Sequence, residues 1–255
     1  MLNHTRWAIG VLTLSLTVTA SSQTDLEVSW GSSILEQKMI LNDGSPLDSG
    51  PITVEVGSFG SFTPTADNLD QWLANWKVFD AITDPDTDPN GSDFLSFNAG
   101  DHTLAKYAGS ANLEDTTQTS DSEDAAIQNP AATFGPSEQG YVFFRTGDAV
   151  IADNQWLLFT SAVDADGAGL GDSVWEFPTV SGLPQPPLAW WLDQADTAIV
   201  GAINGGDTKG GSSGAGCFTD TSTDFAIRLH CVPEPVTGLL VLISSVPLLC
   251  RRKRT

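Results

Sequence analysis

Short runs of Val, Ile, Phe, Trp and Thr, separated by clusters of Gly, Pro, Asn and Asp, recur along most of this chain. That punctuation predicts an all-β domain, because β-branched and aromatic side chains fit a pleated sheet and the breakers supply its turns. Strands are expected over residues 34–41, 52–59, 102–107, 141–145, 155–161, 173–177, 198–203 and 224–231. Ile52, Val54 and Val56 alternate with Thr53 and Glu55, the pattern of a sheet with one wet face. Residues 155–159 are apolar nearly throughout, as a central strand buried on both faces would be. The expected architecture is a β-sandwich or jelly-roll-like domain with one short helix. An N-terminal signal helix and a C-terminal hydrophobic helix are expected to flank it.

One stretch departs from the strand pattern. Leu69, Trp72, Leu73 and Trp76 fall at helical spacing, with Asp67 suited to the N-cap and Asp70 to the positive end of the helix dipole. Trp72 and Trp76, four apart, share one face. That face either packs on the sheet or stands free as an aromatic platform for sugars. Residues 108–130 are dominated by Gly, Ser, Asn, Asp, Glu and Thr, with five acids from Glu114 to Asp124. So little apolar surface cannot offset the entropy of ordering, which predicts a long exposed loop. Residues 205–216, with six glycines, read as a second flexible connection.

The two ends carry targeting patterns. His4 and Arg6 precede an apolar core over residues 7–18, and Val18, Thr19 and Ala20 supply small residues for a signal peptidase. Residues 1–22 are therefore expected to be a secretory signal peptide, the alternative being a first transmembrane helix. At the other end stand Val232, Pro233, Glu234 and Pro235, then an apolar run of 15 residues (236–250), then Arg251, Arg252, Lys253 and Arg254. As a helix the run would measure about 22 Å, against a hydrocarbon core of about 30 Å. An apolar segment closed by cations is a stop-transfer pattern, the cations staying in the cytoplasm. This three-part tail resembles the PEP-CTERM sorting signal of exported bacterial proteins. The resemblance implies recognition by an exosortase-like membrane enzyme, cleavage near Pro233, Glu234 and Pro235, and delivery to the cell surface or extracellular matrix. Residues 232–255 then form the sorting tail and residues 23–231 the exported domain, with a plain C-terminal membrane anchor as the alternative.

Charge separates along the same boundaries. Residues 25–234 hold all 32 acidic side chains and only six basic ones, a formal charge of −26. Such a polyanion is repelled by nucleic acid and by anionic membrane surfaces and attracts divalent cations. Cys217 and Cys231 are the two cysteines of the exported part, with Cys250 in the tail. In an oxidising compartment a Cys217–Cys231 bridge would close a 15-residue loop, worth about 3 kcal/mol in the chain-entropy model. Two free thiols are the alternative.

Two acidic loops hold recognisable chemistry. Asp86, Asp88, Asn90 and Gly91 fit the first half of an Asp-x-Asp-x-Asn-Gly calcium loop, with Asp84 and Asp93 close by. Phe97 occupies the position where a bidentate Glu should close that site. Asp164, Asp166 and Asp172, interleaved with glycines, resemble the Asp-rich calcium loops of secreted repeat proteins. Ordinary turn chemistry accounts for both loops equally well. No zinc-spaced His/Cys set, phosphate loop or dinucleotide fingerprint is present. Spaced motifs across residues 50–203, among them Phe59-Gly60-Ser61-Phe62, Gln71-Trp72, Asn154-Gln155-Trp156 and Trp175-Glu176-Phe177-Pro178, resemble a PEP-CTERM-tailed family of planctomycete and verrucomicrobial type. That resemblance carries no catalytic residue over. The reading is a non-enzymatic exported protein associated with exopolysaccharide, whose partners are signal peptidase, the exosortase-like enzyme and, transiently, the inner membrane. A carbohydrate-binding module, suggested by seven tryptophans in the exported part, and a secreted glycan hydrolase are the alternatives.

Overall fold

A computed structural model describes residues 25–32, 35–49, 51–82, 93–129, 132–146, 154–162, 174–179, 185–206 and 222–232. In chain order the elements begin with β1 (Leu26–Gly31), β2 (Gln37–Ile40), β3 (Ile52–Ser58), α1 (Trp72–Asn75) and β4 (Lys77–Ile82). Next come β5 (Phe94–Phe97), β6 (Leu104–Leu113), α2 (Glu123–Gln128), β7 (Glu138–Thr146) and β8 (Gln155–Thr160). The chain continues through β9 (Glu176–Phe177), β10 (Leu188–Trp191), β11 (Thr197–Val200), β12 (Ala202–Ile203), β13 (Ile227–Arg228) and β14 (His230–Cys231). One sheet runs β10-β1-β6-β2-β13-β12, with β5 also on β6; the other runs β11-β8-β7-β3-β4, with β14 on β8 and β9 on β7. Pairing is antiparallel except for β1 with β10 and β2 with β13. This is the all-β sandwich that the punctuated apolar runs predict.

The core lies between the sheets. β6 alternates strictly, sending Ala105, Tyr107, Ala111 and Leu113 inward. Val54 and Val56 of β3, Val142 and Phe144 of β7, and Leu157 and Phe159 of β8 meet them from the other sheet. Two indoles lie flat on backbone where only glycine leaves room. A Cβ at Gly109 would stand 2.7 Å from the Trp30 ring, and one at Gly140 would stand 2.5 Å from Trp190. Both distances are far inside van der Waals contact, so each indole depends on its glycine.

A second apolar layer covers the outer face of the second sheet. Phe59, Leu69, Trp72 and Trp76 from the segment around α1 pack on Phe143, Trp156, Leu158 and Val200. Trp72 stacks on Trp156 at 5.8 Å between centroids, and Phe59 packs against Trp72, Trp76 and Tyr141. The helical spacing of Trp72 and Trp76 thus serves packing on the sheet. The helix itself is only four residues, preceded by a 3-10 turn at Leu69–Gln71. Asp67 is not its cap. Asn68 holds the entry instead, its Oδ1 accepting from Thr65 N and from Trp72 Nε1, both at 2.8 Å.

This layer overturns the expected wet face of β3. Glu55 is wholly buried although it alternates with apolar residues, because the α1 segment folds over the side of the sheet on which it sits. The long exposed loop over residues 108–130 is also corrected. β6 continues to Leu113, a hairpin bridge joins Leu113 to Ser120, and α2 follows as a second short helix whose Ala125 is buried. Apolar side chains are few there, but backbone pairing and small residues suffice to dock the segment on the sheets. β8 is buried on both faces, as its apolar run predicts. β1, β4, β5 and β10 lie where no strand is expected from the sequence.

Candidate processing junction at the end of the fold

The described fold closes with a short clamp. β14 pairs antiparallel with β8, His230 opposite Trp156 and Cys231 opposite Gln155. One residue later Val232 N–H donates to Asn154 O at 2.8 Å, and the Val232 side chain packs against the outer aromatic layer. Asn42, in the turn after β2, adds a cross-tie. Its backbone N–H donates to Gln155 Oε1 at 2.6 Å, and its Nδ2 lies 3.7 Å from Cys231 Sγ. Cys231 is disulfide-bonded. Its expected partner, Cys217, lies outside the described residues.

His230 is buried beside this clamp. Burial holds its imidazole below the usual range, partly offset by a hydrogen bond to the Cys231 carbonyl and reinforced by Arg228. Among the described residues Val232 is the last one tied to the sheet, and the next residue, Pro233, has no N–H with which to extend a ladder. Pro233, Glu234, Pro235, Arg251, Arg252, Lys253 and Arg254 lie outside the described residues. Among the described residues no helix is long and apolar enough to cross a membrane.

The calcium candidates Asp84, Asp86, Asp88, Asn90, Asp164, Asp166 and Asp172 also lie outside the described residues. Asp93 lies inside, just before β5, where its Oδ1 accepts from Ser110 N–H of β6 at 2.9 Å. That carboxylate is committed to the sheet. No group of three or more His, Cys, Asp or Glu suited to a metal ion occurs among the described residues.

Two buried carboxyl groups were not legible as sites. Glu55 accepts from Trp76 Nε1 at 2.8 Å and from Arg145 Nη2 at 2.6 Å, so indole and guanidinium share it under the outer layer. The one sequence signal is spacing: Glu55 pairs in register with Phe143, which places Arg145 diagonally across on the same face. Asp80 is nearly as deeply buried, on the inner side of β4 opposite Val56. A register shift between Val56 and Gly57 turns both Phe79 and Asp80 toward the core. Asp80 Oδ2 accepts from Trp30 Nε1 across the sandwich at 2.7 Å, and Oδ1 accepts from Ser122 Oγ at 2.8 Å. Desolvation pushes its pKa up to about 7, with the Asp93 charge adding to the rise and the two hydrogen bonds opposing it.

A cavity of about 60 Å³ lies between β4 and the α2 segment, lined by Val78, Thr119, Ser120, Asn129 and Phe134 among others. Lys77, at the start of β4, is ion-paired with Glu138 and donates to Thr133 O at 2.7 Å. Comparison with protein-family models, with curated proteins and with solved structures gives no match.

Proposed function

We propose that this chain is an exported, non-enzymatic surface or matrix protein whose tail is recognised and cleaved by an exosortase-like transpeptidase. The observation that carries the reading is an adjacency. Val232 is hydrogen-bonded to the sheet, and the Pro-Glu-Pro of the PEP-CTERM-like tail begins at the next residue, a proline with no N–H to donate. A processing enzyme facing the membrane's outer side needs an extended strand free of the fold. Two prolines flanking Glu234 hold the backbone extended and out of any following helix. The β14 clamp holds the chain up to Val232, so cleavage after that residue would leave every described strand in the released domain.

The carbohydrate-binding alternative loses its motive. Six of the seven exported tryptophans are buried, in the inter-sheet core or the outer layer, and Trp191 is half-buried. Association with exopolysaccharide then rests on delivery and on the polyanionic surface, not on an aromatic platform. The test is mass analysis of the protein released at the cell surface. Expected is a mature C-terminus within or just after residues 232–235, and retention of the whole tail when Pro233, Glu234 and Pro235 are replaced by alanine. A mature protein still carrying Leu248, Leu249 and Arg251 overturns the reading in favour of a permanent anchor.

A further inference from the structure

β4 is the edge of its sheet, and its free side is covered by the arm that runs from Glu114 to Asn129 instead of by another strand. An open edge offers unpaired N–H and C=O groups to any other chain, so proteins cover or blunt it. Here the cover is fastened by side chains. Ser120 Oγ donates to Phe79 O at 2.5 Å, Ser122 Oγ donates to Asp80 Oδ1 at 2.8 Å, and the Asn129 amide oxygen accepts from Val78 N–H at 2.8 Å. Little apolar surface backs these bonds. Ala125 of α2 is buried, Ile127 is 78% exposed, and the cavity of about 60 Å³ lies beneath the joint. Ser122 stands at the N-cap of α2, yet its hydroxyl makes no cap bond and serves Asp80 instead. A joint with few apolar contacts and a cavity beneath it opens at low cost.

We propose that the 114–129 arm is a pH-sensitive latch over the β4 edge, closed while Asp80 is a neutral acid and released as Asp80 ionises. The surroundings of Asp80 fix the direction. From its own strand comes Lys77, held by Glu138; β3 carries Glu55 and β7 the Arg145 that pairs with it, both on the opposite face of the sheet. From the arm come Glu123 and Asp124, and ahead of β5 stands Asp93. The cations are committed elsewhere and every other charge is negative. Asp124 points the same way, its carboxyl held above the usual range by burial first, then by Glu123 and Glu55. With the arm open, Asp80 meets water and returns to an ordinary carboxyl pKa near 4. Opening therefore grows between about pH 4 and pH 7, on the order of tenfold per pH unit, and levels off above that.

Hydrogen exchange of the full exported domain, read by mass spectrometry on peptides covering 77–82 and 114–129, tests the latch. After correction for the intrinsic pH dependence of exchange, opening at pH 7 should exceed that at pH 5 by at least tenfold in these peptides, while β7 and β8 stay protected. Asp80→Asn, which keeps a carbonyl acceptor for Trp30 and cannot ionise, should remove that pH dependence. Ser122→Ala should keep it while raising opening at every pH. Equal opening at both pH values in the wild type, or undiminished pH dependence in Asp80→Asn, overturns the proposal. If Asp80→Asn does not fold, carbon-13 titration of the wild-type Asp80 carboxyl decides: a midpoint near 4 overturns the latch, and one near 7 supports it.

Discussion

Glu55 and Asp80 sit on neighbouring strands of one sheet, both out of reach of water, and the fold treats them oppositely. Glu55 lies on the outer face, where Arg145 and Trp76 close on its two oxygens beneath the α1 segment. Asp80 lies on the inner face and receives only neutral donors, one indole, one hydroxyl and the Ala81 backbone N–H. Taking a carboxylate from water costs several kcal/mol unless a charge and hydrogen bonds replace the lost hydration. Glu55 has that replacement. Asp80 does not, and responds by holding its proton toward neutral pH. Burial alone therefore does not say what an acidic residue does; the identity of its nearest donors does.

The contrast breaks most sharply at Arg145. Arg145→Ala leaves Glu55 buried without a counter-charge and should cost about 3–5 kcal/mol in urea unfolding. A loss below about 1 kcal/mol would mean that water reaches Glu55 in solution. Asp80→Asn acts in the other direction. With a folded pKa of about 7 against 3.8 unfolded, the neutral form's contribution is fully present below about pH 4 and is lost as pH rises toward 7. The variant, which has no carboxylate to desolvate, should therefore exceed the wild type by roughly 4 kcal/mol at pH 7.5, with the gap closing toward pH 4. Equal stabilities at pH 7.5 would remove the distinction between the two acids.

A finer comparison uses the indole donors. Trp76→Phe keeps most of the ring packing but takes one donor from Glu55, and should cost about 1–2 kcal/mol. Because Arg145 remains, the loss should be smaller than for Arg145→Ala. The reverse order would assign the main compensation to the indole. Least affected should be His102→Ala. His102 contacts Asp48 on the surface with its side chain 55% exposed, and such pairs are worth at most about 0.5 kcal/mol. A larger loss there would place that turn among the structural contacts.

Much of the architecture could be read from residue order. β3, β7 and β8 lie within a residue or three of their expected bounds, since Val, Ile, Phe and Trp runs between Gly and Pro carry their own strand signal. β4 was hidden because Lys77, Val78 and Phe79 continue straight from the helical Trp72 and Trp76, so a helical period masks a change of element. β10 was hidden because its four residues follow a proline-rich stretch and pair in parallel with β1, a partner some 160 residues away in sequence. The extension of β6 and the placement of α2 escaped composition for a similar reason. Polar residues such as Ser110 and Asn112 enter a ladder when a partner supplies matching N–H and C=O groups.

By itself the sequence determined the class of fold, the separation of an acidic domain from apolar ends, and the tail that directs the functional reading. These depend on local composition and short-range period, which every residue reports about itself. Only the tertiary structure decided that Val232 is tied to the sheet, that the Trp72 and Trp76 face is covered, and that Glu55 and Asp80 are buried with such different neighbours. Alternation says which side chains share a face of a strand. Whether that face meets water, a guanidinium or an indole depends on which distant segment lands on it, and no local pattern encodes that encounter.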